Sequence, residues 1–256
     1  LCELFFFPFH ELYTAGLYKK IAPQDKYKTP VNKELILKGA KEKTPPVGYN
    51  ATFVYPQKGL DDLIAKMERN CKVIYNKRAV EIDLKKKEVI FSDGSGAKFE
   101  KLISTVPLNK LINMSHIELD EPEPPYTSVL VINVGAKKGK KCPDYHWLYI
   151  PRSRAGFHRV GFYSNVDESF LPLSSRKDKD RVSIYVEMAF EGGKKPDDVD
   201  PTWIDVAYTW ELPNSDWVRK ALSILRENNI YSTGRYGKWK FQGIAESIKD
   251  GFEVKL

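Results

Sequence analysis

SVLVINVGA, residues 128–136, is an apolar, β-branched run without a charge, followed at once by Lys137-Lys138-Gly139-Lys140-Lys141. Residues of this type fit a pleated, half-buried surface better than a helix. Three similar runs follow: HWLYIP (146–151), HRVGFYSN (158–165) and VSIYVEMAF (182–190). They are aromatic and β-branched, with turn residues between them, so the segment from Ser128 onward predicts an antiparallel sheet.

On either side of this sheet the pattern changes. Downstream, Trp217, Val218, Ala221, Leu222 and Leu225 recur at helical spacing and predict a helix over 215–228. IYSTG (230–234) reads as one more strand. A last helix follows, expected to bury Phe241, Ile244, Ala245, Ile248 and Phe252. Upstream, FVYPQKG (53–59) leads into a helix with Leu60, Leu63, Ile64 and Met67 on one face. Asp61 and Asp62 sit in its first turn, where the helix dipole favours anions.

In KRAVEIDL (77–84), Val80, Ile82 and Leu84 alternate with polar residues, and EVIFSDGSG (88–96) gives a second strand with a tight Asp-Gly end. KLISTVP (101–107) reads as a buried strand closed by proline. The first 58 residues, with Phe5-Phe6-Phe7-Pro8-Phe9 and Pro23, Pro30, Pro45 and Pro46, read as ordered loops and short helices. Strands and helices mix without regular βαβ alternation, which predicts an α+β or irregular α/β fold.

At 256 residues the chain is long enough for one large domain or two small ones. Its 42% hydrophobic content fits a folded protein rather than a disordered one, and no apolar run reaches the roughly 20 residues of a membrane span. The formal net charge is +7. The lysines concentrate at Lys85–Lys87, Lys137–Lys141 and Lys194-Lys195, each between strand-like runs, and read as solvated hairpin tips in preference to a binding patch; no nucleic-acid module accompanies them. Cys2, Cys71 and Cys142 are far apart, and His10, His116, His146 and His158 lack metal spacing, so the composition points to a reducing, cytoplasmic setting without a zinc site or disulfide framework.

Gly94-Ser95-Gly96 lacks a third glycine and leads into a strand, so it is a hairpin turn and not a dinucleotide fingerprint. The stretch IYSTGRYGKWKFQGI (230–244) is of more interest. A strand end, a Gly-Arg-Tyr-Gly turn and a fresh helix start at Gly243 come close together. A helix N-terminus offers unpaired N–H groups, Gly243 leaves room for a ligand, and Arg235 is able to donate a bidentate bond. The residues alone leave two readings open, a ligand site and a structural turn.

Several segments, taken in order, resemble a flavoprotein family comprising FAD-dependent amine oxidases, protoporphyrinogen oxidase-like proteins and UDP-galactopyranose mutases. They are LFFFPFHELYTAG (4–16), YNATFVYPQKGLDDLIAKM (49–67), VIYNKRAVEIDLKKKEVIFSDG (73–94) with KLISTVPL (101–108), HRVGFYSNVDESFLP (158–172) with VSIYVEMAF, and IYSTGRYGKWKFQGI. The resemblance covers most of the chain. It departs at Leu60, which replaces a second glycine of the family, and the family's N-terminal GxGxxG unit is not in this chain.

The resemblance implies a substrate-binding part over 1–58 and 104–212 and a partial FAD-binding part over 59–103 and 213–256. It implies that Val80 presents its backbone to the adenine edge, and that Gly234, Arg235 and Tyr236 lie beside flavin and diphosphate. Gly243 and Ile244 would open the helix facing the flavin O2, while Tyr55, Arg159, Tyr163, Asn165 and Tyr208 would lie on the substrate side. The expected activity is hydride transfer from a small-molecule substrate to flavin. The alternatives are a mutase acting on a nucleotide sugar and a non-catalytic module using its basic surface. A missing N-terminal FAD unit, expected upstream of Leu1, would pack on this chain, and FAD binding without it is expected to be weak or absent.

Overall fold

The computed structural model describes residues 1–23, 33–42, 52, 54–56, 58–194 and 202–255. Pro30, Pro45, Pro46, Phe53 and Lys195, singled out above, lie outside the described residues. By its contacts the chain divides into two units, one of residues 1–22 with 75–256 and one of residues 23–74.

In the first unit, a π-helical turn (Cys2–Phe6) runs without a break into α1 (Phe7–Tyr13), and Pro8, which has no N–H to give to the ladder, lies at the junction where the wider turn gives way to the α-helix. The second unit carries α2 (Lys33–Gly39) and α3 (Leu60–Glu68). α3 forms where its periodicity predicts, but within its own unit its apolar stripe stays uncovered: Leu60, Ile64 and Met67 are exposed.

The first unit then continues with β1 (Ala79–Asp83), β2 (Glu88–Phe91) and β3 (Gly96–Lys98), an antiparallel meander with β1 at its edge. Ile82 is buried as the alternation predicts, but Val80 is not. The β1–β2 register shifts between Ala79 and Glu81, so Val80 is the extra residue of a bulge and its side chain is exposed. Gly94 adopts a left-handed conformation in the β2–β3 connection, so Gly94-Ser95-Gly96 is a hairpin turn.

Next come β4 (Leu102–Ser104) and α4 (Leu108–Met114), which opens directly after Pro107. β5 (Tyr126–Lys137), β6 (Trp147–Tyr149), β7 (Arg159–Phe162), α5 (Tyr163–Val166), β8 (Arg181–Glu191) and β9 (Thr202–Thr209) follow. The strands among them form a five-stranded antiparallel sheet in the order β6-β7-β8-β5-β9. Phe162 ends β7, and the FYSN segment turns helical, so Tyr163 and Asn165 leave the strand. Ser164 Oγ then accepts the β8 N–H of Ser183 where the strand has left off.

α6 (Trp217–Glu227) buries Trp217, Ala221 and Leu225, with Val218 and Leu222 packed beside them, as its spacing predicts. β10 (Ile230–Ser232) pairs in parallel with β4, a crossover that encloses the whole five-stranded sheet in sequence. α7 (Gly234–Gly237) is one helical turn, and α8 (Ile244–Phe252) starts at Gly243. The apolar face of α8 departs from expectation. Ile244 is 53% and Phe252 85% exposed, Ala245 is exposed, and Phe241 and Ile248 are only half-buried. The elements packed around α8 in its own unit cover little of that face.

The main core joins these layers. Ile82, Leu108, Leu111, Trp217, Leu225, Ile230 and Trp239 form one buried cluster beneath the meander, α4 and α6. The fold is α+β.

Candidate functional site

The five-stranded sheet carries one row of polar side chains across its face. Tyr149 lies opposite Arg159, and Arg159 opposite Glu187, on β6, β7 and β8. Arg159 donates from Nε to Glu187 Oε2 at 2.9 Å and from Nη2 to Oε1 at 2.6 Å, a side-on, two-bonded pair. Three guanidinium N–H groups remain for another acceptor. The Arg159 side chain is 25% exposed, so that edge is open to solvent while Glu187 is buried.

Helix α1 covers part of this row. Phe9 and Tyr13, four residues apart, share the face turned to the sheet. Phe9 meets Tyr149 and His158 with ring centroids 4.9 and 6.3 Å apart, and Tyr13 meets Tyr208, His158 and Trp210 at 4.7, 5.4 and 5.6 Å. His158 is 1% exposed, and neither ring nitrogen has a hydrogen-bond partner. Its Nε2 lies 3.5 Å from Glu187 Oε2, an electrostatic contact longer than a well-formed hydrogen bond.

Burial works against the charge of Arg159, yet Tyr208 and Glu187 outweigh it, and the guanidinium is held above its ordinary pKa. Burial alone would raise the Glu187 carboxyl; His158 and Arg159 outweigh that, and it lies below the usual carboxylate range. Burial pushes the Tyr13 and Tyr208 phenols up and lifts Tyr185 to about 12. All three stay protonated donors at neutral pH. The Tyr185 ring lies over Gly161, where an added Cβ would run into it, and also under the Arg159 guanidinium at 5.8 Å.

A second cluster flanks the first at β9. The Arg235 guanidinium is enclosed by the rings of Phe241, Tyr208 and Tyr236 at 4.5, 5.3 and 5.6 Å. It donates to the backbone carbonyls of Ala207 at 3.1 Å and Gln242 at 3.4 Å. These bonds tie the 234–242 loop to the sheet. Within that loop Trp239 is buried with φ +53°, a left-handed conformation rare for so bulky a residue. Its indole N–H donates to Trp210 O at 3.0 Å.

Gly234 has φ +76° and open space where a side chain would begin. Thr233 Oγ1 beside it and Gln242 Oε1 at the far end of the loop are buried without hydrogen-bond partners. At the start of α8, Glu246 Oε2 accepts the Gly243 N–H at 3.0 Å. The next N–H groups, from Ile244 onward, are the ones a helix leaves without intrahelical partners.

Arg159 and Tyr208 therefore fall in one cluster, and Gly234, Arg235, Tyr236, Gly243 and Ile244 in the loop beside it. Tyr163 joins indirectly, its ring 4.4 Å from Tyr185. Asn165 faces elsewhere: its amide donates to Pro143 O and Tyr145 O at 2.8 and 2.9 Å. Val80 belongs to the bulged edge of the meander. Tyr55 is half-buried in the separate unit of residues 23–74. Tyr13, His158, Tyr185 and Glu187 were not singled out from the sequence as site residues. The signal for Glu187 was a lone carboxylate inside the otherwise apolar run VSIYVEMAF.

No family model matches the chain. Its fold is similar to that of a reduced UDP-galactopyranose mutase, with a TM-score of 0.76 and 22% identity, over 94% of this chain and 60% of that one. The PF1083 protein from Pyrococcus furiosus overlays 51% of this chain and 33% of its own, at 19% identity and a TM-score of 0.37, too low to carry an argument. The likeness to the mutase is one of fold, and this chain spans 60% of the mutase's length.

Proposed function

We propose that this chain is the substrate-side sheet and the later cofactor-side elements of a mutase-like flavoprotein that binds FAD and acts on a nucleotide sugar. The observation that carries this reading is the fold shared with a UDP-galactopyranose mutase over 94% of the chain. The likeness to the mutase does not itself support the amine oxidase and protoporphyrinogen oxidase-like readings. The rest of the FAD cradle would come from a dinucleotide-binding unit, which is the partner expected to pack on this chain.

The residues present fit a bound flavin. Thr233 Oγ1 and Gln242 Oε1 are orphaned polar atoms at either end of the loop that leads to α8, and a buried polar atom without a partner is costly unless a ligand or water meets it. Gly234 leaves open space between them. The first-turn N–H groups of α8, from Ile244, would face the ring edge where charge gathers on reduction. When bound, FAD supplies the electron-rich ring for the chemistry. Arg235 holds the loop in place through Ala207 and Gln242 and does not itself grip phosphate in this reading. Arg159, fixed in plane by Glu187, offers its remaining N–H groups to substrate oxygens, with the Tyr185 and Tyr208 phenols, kept protonated by burial, as further donors.

The test is expression from the natural reading frame, including codons upstream of Leu1, followed by spectroscopy and assay. The reading expects an in-frame strand–GxGxxG–helix unit, co-purifying flavin, and interconversion of UDP-galactopyranose only after the flavin is reduced. A product that takes up no flavin even with FAD added would overturn the flavoprotein reading. Bound flavin with substrate oxidation but no sugar interconversion would replace the mutase with an oxidoreductase.

A further inference from the structure

The antiparallel order of the sheet brings together two lysine-rich loops that lie far apart in sequence. Lys137, at the end of β5, is directly opposite Arg181, at the start of β8, and Lys138 N–H donates to Asp180 O. The loop that leads from β5 to β6 and the loop that leads from β7 to β8 therefore sit at the same end of the sheet. Asn165 fastens them to each other through Pro143 O and Tyr145 O.

Residues 137–146 and 172–181 carry eight Lys and Arg against three Asp and Glu, so these twenty positions hold +5 of the chain's formal +7. Lys138 pairs with Asp144 and Arg181 with Asp178, while Arg176 donates to the carbonyls of Ser169 and Leu171. Lys137, Lys140, Lys141, Lys177 and Lys179 have no ion pair among the described residues. Asp167 and Glu168, the acids just upstream, open a short helical turn, and the Asp167 carboxylate is taken by the Ser169 N–H. Facing Lys137 with Arg181 across a strand pair is unfavourable on its own, and an anionic surface would relieve it.

Two apolar side chains stand out of the same loops. Leu173 is 80% and Tyr145 64% exposed. A phosphate backbone gains nothing from an exposed leucine, whereas a lipid interface takes up leucine and tyrosine at the level where lysines meet the headgroups. We propose that this end of the sheet is a docking surface for an anionic membrane, with the unpaired lysines on the headgroups and Leu173 and Tyr145 entering the interface. The surface lies about 20 Å along β8 from Glu187, six residues at roughly 3.3 Å each. A protein seated on it would keep the Arg159 row free.

The experiment is flotation of the chain with vesicles of phosphatidylcholine alone and of phosphatidylcholine with 30% phosphatidylserine, at about 0.1 M and about 0.5 M salt. Binding is expected only to the anionic vesicles and to weaken at the higher salt. Lys140→Ala with Lys141→Ala should weaken it by about 25-fold, about fivefold per lysine. Leu173→Ser with Tyr145→Ser should weaken it severalfold with every charge kept; these positions are exposed, and unchanged far-ultraviolet circular dichroism would certify the fold. No binding to anionic vesicles at 0.1 M salt would overturn the proposal. So would binding to a single-stranded oligonucleotide at equal strength that is indifferent to the Leu173 and Tyr145 changes, since that would mark a general polyanion site.

Discussion

At the residue scale the Arg159–Glu187 pair is the sharpest feature, because its two members depend on each other. Glu187 is buried and its pKa is lowered against the effect of burial, by His158 and Arg159. Removing its charge leaves a largely buried guanidinium unpaired. Glu187→Gln is therefore expected to cost about 3 kcal/mol in urea unfolding, whereas Arg159→Met with Glu187→Leu should cost clearly less, since no lone charge remains. Equal costs for the single and the double change would mean that packing, not pairing, dominates. The pH dependence follows from the same pair. With the folded pKa depressed, the stabilisation is complete above the ordinary carboxylate value and is lost as pH falls through the lowered one. Gly234 gives a contrasting case. Open space surrounds it, so Gly234→Ala meets no clash and should cost only the left-handed backbone penalty of about 1–2 kcal/mol. At Gly161 the same change drives a methyl into the Tyr185 ring.

At the element scale, some elements were legible and others were not, for identifiable reasons. α6 follows its apolar spacing because both of its contacts, core on one side and water on the other, are local to the unit. The long strands β5 and β8 follow β-branched composition for the same reason. The FYSN segment misled because β-propensity does not report where a strand is interrupted by its partner's hydrogen-bonding needs. Val80 misled because a bulge shifts register by one residue and reverses the face. The Gly234 turn and the helix start at Gly243 were visible as a motif, but the cage around Arg235 was not, since its rings and carbonyls come from β9 as well as from the loop itself. The start of α6 carries a further prediction. Glu121, remote in sequence, accepts from Ser215 Oγ at 2.7 Å and from the Asp216 N–H at 2.8 Å, and pairs with Lys220 at 2.7 Å. Lys220 and Ser215 hold its carboxyl down from 4.5 to about 2. Its contribution should be whole above pH 4.5 and disappear as pH falls toward 2. Glu121→Gln should lower the melting temperature at pH 7 and make no difference near pH 2; a constant offset at both pH values would count against the capping role.

At the scale of the whole molecule, the core beneath α6 is well covered, while several elements beside it are not. Ile103 on β4, Val80 on β1, and Ile244 and Phe252 on α8 all present apolar side chains to solvent. β4 and β10 make only a two-stranded parallel ladder of three residues each, a kind of sheet that ordinarily occurs covered on both faces. The amphipathic pattern of α8 is genuine, yet the described elements of its own unit leave much of that face exposed. These observations agree with a fold that spans 60% of the mutase's length. Exposed apolar surface of this kind favours association. Sedimentation velocity of the 256-residue chain should show concentration-dependent self-association, and Ile244→Ser with Phe252→Ser should reduce it, because both side chains are exposed and contribute little to the core. Association unchanged by these substitutions would place the sticky surface elsewhere, with the exposed stripe of α3 next to be tested. A monomer at every concentration would mean that the apolar face of α8 is tolerated in water, and the case for a covering cofactor-binding unit would lose its support from surface chemistry.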